Sequence, residues 1–112
     1  MKEVDVLLAA LRQADGAVKH RPVVFLKRMP PFQDFLVCGV SAQLQQAAEL
    51  DETISPNDAD FRTSGLKSAS LIRLGYPAVL PRSEFKGRIG RVSSARLKRL
   101  LQRLADFIRP AN

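Results

Sequence analysis

Cysteine and histidine are almost missing from this chain of 112 residues, which has one of each, Cys38 and His20. A lone cysteine forms no internal disulfide. One histidine and one cysteine supply no cluster with zinc spacing, so a structural metal is not expected. Cys38 lies in the apolar stretch Phe35-Leu36-Val37-Cys38, which predicts a small buried side chain rather than a nucleophile. Long apolar runs are lacking too. None approaches the length that spans a bilayer, so no membrane partner is expected. The opening Met1-Lys2-Glu3-Val4-Asp5 carries acids where a secretory leader carries bases, and no cleavage-site pattern follows. A cytoplasmic location is the expectation. No repeat or low-complexity linker divides the chain, and its length suits a single domain, 1–112, with one modest core.

Acids are scarce in the last third. The net charge is +7 and the isoelectric point is near 10.3. Residues 82–109 hold nine basic side chains against two acids, Glu84 and Asp106, while the rest of the chain is balanced. That segment therefore carries the whole excess. Such a block suits a polyanion, nucleic acid above all, or else is a solvated face with no partner. The opposite pattern occurs from Glu49 to Phe61, where five acids (Glu49, Asp51, Glu52, Asp58, Asp60) occur without a base. This stretch would repel RNA and is expected to be an exposed, mobile loop.

What is present reads mainly as short strands separated by turn residues. Val4–Leu11, Pro22–Leu26 and Asp34–Val40 are strand candidates, the third apolar enough to be buried on both faces. Ser41–Leu50 suits either a helical turn or strand continuation, and Ser55–Gly65 is polar and rich in turn residues. Ser70–Leu74 and Ala78–Leu80 form two more candidates split by Gly75-Tyr76-Pro77, and Gly87–Val92 a last one. After an N-cap at Ser93 or Ser94, Leu97, Leu100, Leu101, Leu104, Phe107 and Ile108 follow the spacing of a one-sided helix that Pro110 stops. Arg96, Arg99 and Arg103 share its other side, expected to be solvated. Helix and strand do not alternate, so the fold class is mainly β (α+β), a bent sheet or small barrel closed by one helix.

Asp15-Gly16-Ala17-Val18-Lys19-His20-Arg21-Pro22 brings three basic or basic-capable side chains to a strand start. Pro22 biases Arg21 toward an extended backbone. Arginine holds a phosphate through two parallel hydrogen bonds, and histidine exchanges protons near neutral pH. Taken alone, the segment is a charged hairpin loop.

It does not stand alone. Asp5-Val6-Leu7-Leu8, then Lys19-His20-Arg21-Pro22, then Val40-Ser41-Ala42-Gln43, then Gly65-Leu66-Lys67-Ser68-Ala69-Ser70, then Ile89-Gly90-Arg91-Val92-Ser93 resemble, in order and spacing, the successive motifs of the MazF/PemK toxin family. The likeness covers roughly Val4 to Ile108. It departs from the family at Val4, where a glycine is usual, at Ala42, where a serine is usual, and at Gly75, where an aspartate often follows the second arginine.

The resemblance implies a small SH3-like/PemK-type β-barrel with a C-terminal amphipathic helix, and a homodimer. It implies a sequence-selective endoribonuclease that cuts single-stranded RNA without metal or cofactor and is silenced by an antitoxin protein. Arg21 matches the catalytic arginine, Ser41 the catalytic threonine or serine, and Arg73 a second catalytic arginine. Gln43 falls on a base-contacting position, and Asp15, Lys19 and His20 lie where RNA contacts are expected. The chemistry needs no metal in principle: the 2′-hydroxyl attacks the adjacent phosphorus while donors stabilise the growing charge. Two other readings are a catalytically weak or inactive relative that binds RNA or an antitoxin, and a gyrase-directed toxin. The latter needs aromatic residues in the C-terminal tail, which here ends Ile108-Arg109-Pro110-Ala111-Asn112.

Overall fold

The computed structural model describes residues 1–12 and 14–111. Among them run six strands, β1 Asp5–Arg12, β2 Val18–Met29, β3 Asp34–Ser41, β4 Glu52–Ile54, β5 Ser70–Leu80 and β6 Phe85–Arg91. A short α1 (Phe61–Ser64) follows β4, and α2 (Ser94–Ile108) closes the chain. The strands form one antiparallel sheet in the order β4-β5-β3-β2-β1-β6. This is the mainly β architecture with a C-terminal helix that the sequence predicts.

Both faces of the sheet are buried. Successive strand residues point to opposite sides, and neighbours along the chain duly join different clusters. Val6, Val24, Leu26, Cys38 and Val40 pack on the side that receives Leu100 of α2. Leu7, Val23, Phe25, Phe35, Val37 and Phe85 pack on the other. The apolar-throughout reading of β3 follows from this two-sided burial. Each large side chain so buried contributes about 1.5–3 kcal/mol.

The strands differ from expectation where pairing outweighs local breakers. β2 continues past Leu26 to Met29 by means of a register shift between Phe25 and Lys27. β5 is one strand rather than two. Its ladder with β3 nevertheless jumps from Arg73↔Gly39 to Pro77↔Cys38, so Leu74, Gly75 and Tyr76 form an excursion where Pro77 has no N–H to give. β4 and α1 escaped the sequence reading because Glu-Thr-Ile and Phe-Arg-Thr-Ser are short and lie among turn residues. Val4 takes φ 88, the region that glycine favours. It is held there by Val4 N–H donating to the Phe25 carbonyl and Val92 N–H donating to the Val4 carbonyl. The family glycine at this position therefore has a backbone reason, and this chain meets it with a strained valine.

The α2 helix starts as read, with the Ser93 hydroxyl accepting the Arg96 N–H at 3.0 Å. Leu97, Leu100 and Leu101 meet the core, but Phe107 and Ile108 overhang it and are exposed. Two expectations are overturned together. The arginine stripe is not a solvated face, and the acidic stretch is not a free loop. Arg96 is buried and binds Asp60 through Nε (2.8 Å) and Nη2 (3.0 Å), Glu52 through Nη1 (2.8 Å) and Asp58 through Nη2 (3.0 Å). Arg99 and Arg103 also reach Glu52, and Arg103 donates to the Glu49 carbonyl. Five acids without an internal base need counter-charges, and helical spacing lines up three of them.

Candidate functional site

A cavity of about 640 Å³ opens where the middle of β1, the first half of β2 and the end of β3 meet the segment after α1. Arg21, Ser41, Gln43, Lys67 and Ser70 are polar side chains of its lining, Ser70 donating to the Ser68 carbonyl, and Leu8, Pro22, Val40, Leu66 and Ile89 belong to its apolar wall. Among the described residues, neither Arg21 nor Lys67 has a carboxylate within ion-pair distance. The two cations are thus available to an anion. No carboxylate, histidine or cysteine lines the cavity, and no group of three or more metal-ligating side chains occurs among the described residues.

Strand register builds the site. The β2–β3 ladder pairs Val23 with Gly39, and continuing it two residues sets Arg21 opposite Ser41. Opposed residues of an antiparallel pair share a face, with Cβ atoms about 5 Å apart. The β3–β5 ladder then sets Arg73 opposite Gly39. Arg21, Ser41 and Arg73 therefore lie on one face, arranged around a glycine whose side-chain position is empty space. Pro22 supports this placement within the β1–β2 ladder, opposite Leu8.

Beyond the strand, the Ser41 hydroxyl oxygen accepts the Gln43 N–H at 3.1 Å, which leaves its own proton to donate. The Gln43 side-chain oxygen accepts from Gln45 at 2.7 Å, leaving the Gln43 amide N–H groups free. The far wall is rigid. Gly65 has φ 77 and presses against the Ile89 carbonyl, and Gly90 packs against the Thr63–Ser64 backbone. A Cβ at either position would collide.

The remaining candidates lie outside the cavity lining. Arg73 places Nε 3.6 Å from Asp51 Oδ2 and its guanidinium 4.6 Å from the Tyr76 ring centroid. That Nε makes no hydrogen bond. Lys19 is exposed on the same face as Arg21, whereas strand alternation turns His20 to the opposite face. Asp15 caps its own turn, Oδ1 accepting the Ala17 N–H at 2.9 Å. Sequence reasoning missed Lys67, although it occupies a variable position of the Gly65-Leu66 motif, and it missed the Arg96 hub.

That hub stands behind the cavity wall. Asp60 precedes α1, accepts the Ser93 N–H at 2.9 Å and binds Arg96, so α1 and the Gly65–Ser70 segment are moored to α2. Burial alone would raise the Asp60 pKa, but the Arg96 hydrogen bonds and the Ser93 N–H outweigh it and hold the carboxyl below its ordinary value. Asp58 is lowered as well, first by the Ser55 N–H and then by Arg96. For Arg96 burial works against the charge, and the Asp60, Asp58 and Glu52 carboxylates more than offset it, so its pKa is raised. Cys38 takes no part: burial pushes its thiol up to about 12.

No helix among the described residues is long and apolar enough to cross a membrane. No curated protein matches the chain by sequence. Among solved structures it is similar to the Mycobacterium tuberculosis toxin MazF-mt6, with a TM-score of 0.66 at 18% identity over 91% of this chain and 93% of that one, a likeness of fold. Residues 2–108 match the family described as PemK-like, MazF-like toxin of type II toxin-antitoxin system. That match spans nearly the whole length, and the chain belongs to this toxin family.

Proposed function

We propose that this protein is an endoribonuclease that cuts single-stranded RNA selectively and without metal. We further propose that it acts in the cytoplasm as a homodimer and is neutralised by an antitoxin protein. The observation that carries the reading is the meeting of Arg21, Ser41 and Gln43 with Lys67 in one cavity free of carboxylates. Such a set binds and stabilises phosphate charge but offers no hard-cation ligand set.

In the proposed reaction the ribose 2′-oxygen bonds to phosphorus as its proton passes to solvent. The bond from phosphorus to O5′ then breaks and O5′ takes a proton, leaving a 2′,3′-cyclic phosphate and a 5′-hydroxyl. The Arg21 guanidinium stabilises the phosphorane, assisted by Lys67. Ser41 donates its proton to a non-bridging oxygen, and Gln43 contacts a base edge. Arg73 joins when a phosphate over Gly39 replaces Asp51 as its partner. Lys19 and His20 act on the strand outside the cavity, and Asp15 holds the turn that presents them.

The test is cleavage of a mixed RNA pool in EDTA, with mapping of the ends. Cutting to 5′-hydroxyl ends that Arg21→Ala abolishes supports the reading. Dependence on metal, or activity that survives Arg21→Ala, sinks it. A second reading has one observation in its favour, the Arg73–Asp51 pair, which occupies an arginine needed for turnover. It describes a protein that binds RNA or an antitoxin without cutting, and salt-sensitive RNA binding with intact RNA would identify it.

A further inference from the structure

The basic block at the end of the chain is not uniformly available to a ligand. Arg96, Arg99 and Arg103 are committed to Glu52, Asp58 and Asp60, and Arg109 pairs with Asp106. Of the five that remain, Arg82, Lys86, Arg88, Arg91 and Lys98, two arginines of β6 line a common cavity. Arg91 has no carboxylate within ion-pair distance among the described residues. Arg88 faces Asp5 through Nε at 3.2 Å, which leaves its two Nη groups without a partner. Both line a second cavity, of about 350 Å³, with Thr63, Ile89 and Gly90.

This cavity is built rather than incidental. Asp5 is 2% exposed, and its Oδ2 accepts the Lys2 N–H at 2.8 Å. Its Oδ1 makes no hydrogen bond but lies 3.2 Å from Arg88 Nε, on the inner edge of the guanidinium, and the outer edge is free. The single Thr63 hydroxyl proton is shared between the Arg91 carbonyl, 3.2 Å from Oγ1, and the Asp60 carbonyl, 3.1 Å away. The backbone under Arg91 is thereby tied to α1. The net charge around the cavity is positive even with Asp5 counted.

Its position identifies the ligand. Ile89 lines this cavity and the larger one alike, so a strand leaving Arg21 and Lys67 meets Arg88 and Arg91 after crossing one apolar side chain. The β1–β6 ladder sets Arg91 opposite Asp5 and Arg88 opposite Leu7, with a bulge at Ile89 between them, so the two arginines share a face about 7 Å apart, and an unpaired guanidinium fork matches a phosphodiester. We propose that Arg88 and Arg91 form a phosphate subsite that holds the RNA backbone beyond the scissile nucleotide. The proposal rests on the reading of the larger cavity as the cutting site.

The experiment uses the full chain and a set of single-stranded RNAs around one mapped cleavage site, trimmed one nucleotide at a time from each end. At one length KM rises about tenfold while kcat holds, since one arginine–phosphate contact is lost. Arg91→Ala, at an exposed position, reproduces that rise on the long RNA and leaves the trimmed RNA unchanged. It also lowers the slope of log affinity against log salt by about 0.7. Arg91→Lys recovers part of the affinity, and Arg88→Gln acts in the same direction. An Arg91→Ala effect equal at every length, or no effect, overturns the subsite. So does an unchanged RNA affinity together with weakened binding of an acidic peptide, which would give the cavity to a protein partner. Should the RNA bind uncut, the cutting proposal fails and the same length step, read by fluorescence anisotropy, still decides the subsite. Should Arg21→Ala abolish cutting while Arg91→Ala changes nothing, the subsite alone falls.

Discussion

Arg73 stands directly opposite Gly39 in the β3–β5 ladder, and a Cβ at Gly39 would meet nothing within 4 Å. The glycine leaves a vacancy on the face shared by Arg21, Ser41 and Arg73. A valine there suits a strand by propensity, and its Cβ meets no neighbour. Gly39→Val is therefore expected to keep or slightly raise the melting temperature, while RNA cutting drops on the order of a hundredfold through lost positioning of the phosphate. A folded Gly39→Val protein that cuts at the wild-type rate would show that the phosphate sits elsewhere.

Ser41 has two duties that substitution separates. Its oxygen holds the Gln43 N–H, and its proton is free for the substrate. Ser41→Ala loses both and is expected to cut on the order of a hundredfold more slowly, at about 1 kcal/mol in stability. Ser41→Thr keeps both and should retain most of the rate. Single-turnover rates on one mapped site decide. Equal rates for the alanine and threonine variants would remove Ser41 from the chemistry.

Arg96 carries more of the fold than any other charged side chain. It faces Asp60, Asp58 and Glu52 at 2.8–3.0 Å, and its removal leaves the buried Asp60 carboxylate without a cationic partner. Arg96→Met is expected to cost about 3–5 kcal/mol, measured by urea unfolding at neutral pH. Cutting should fall as well, because Asp60 moors the segment bearing Gly65, Leu66 and Lys67. A loss below about 1 kcal/mol would mean that the pairs are no better than surface contacts.

Much of this was legible in the sequence. The strand order of chemistry (Arg21 before Pro22, Ser41 at a strand end) followed from motif spacing, and the Ser93 cap and the Leu97–Leu101 face followed from helical periodicity. What escaped depends on contacts remote in sequence. Glu52–Ile54 is a strand only because β5 offers Ser70–Ile72, and nothing in three residues announces that. The acids from Glu49 to Asp60 looked mobile and the α2 arginines looked solvated because each was read without the other. His20 was placed beside Arg21 by its neighbourhood in the chain, and strand alternation then separates the two side chains.

Cys38 offers a direct check on packing. It is fully buried, and its thiol pKa is raised to about 12 by burial. The thiolate is the reactive form, so a thiol reagent at pH 8 should leave the native protein unmodified and label one cysteine per chain in denaturant. Rapid labelling of the native protein would mean that the β2–β3–β5 layer opens readily.

The hub also sets the response to acid. Asp58 and Asp60 have folded pKa values below the ordinary 3.8, so each binds fewer protons folded than unfolded near that pH. Their stabilisation is complete above 3.8 and is lost as pH falls through the lower folded values. The wild type should thus lose unfolding free energy steadily below about pH 4. In Arg96→Met, Asp60 keeps the Ser93 N–H but loses the Arg96 hydrogen bonds, so burial is opposed less and its folded pKa rises relative to the wild type. That variant should therefore lose less unfolding free energy than the wild type as pH falls through the acid range. Urea titrations of both proteins at closely spaced pH values are expected to give a shallower acid slope for the variant. Parallel curves would place the acid sensitivity in other carboxylates and leave Arg96 a purely geometric clamp.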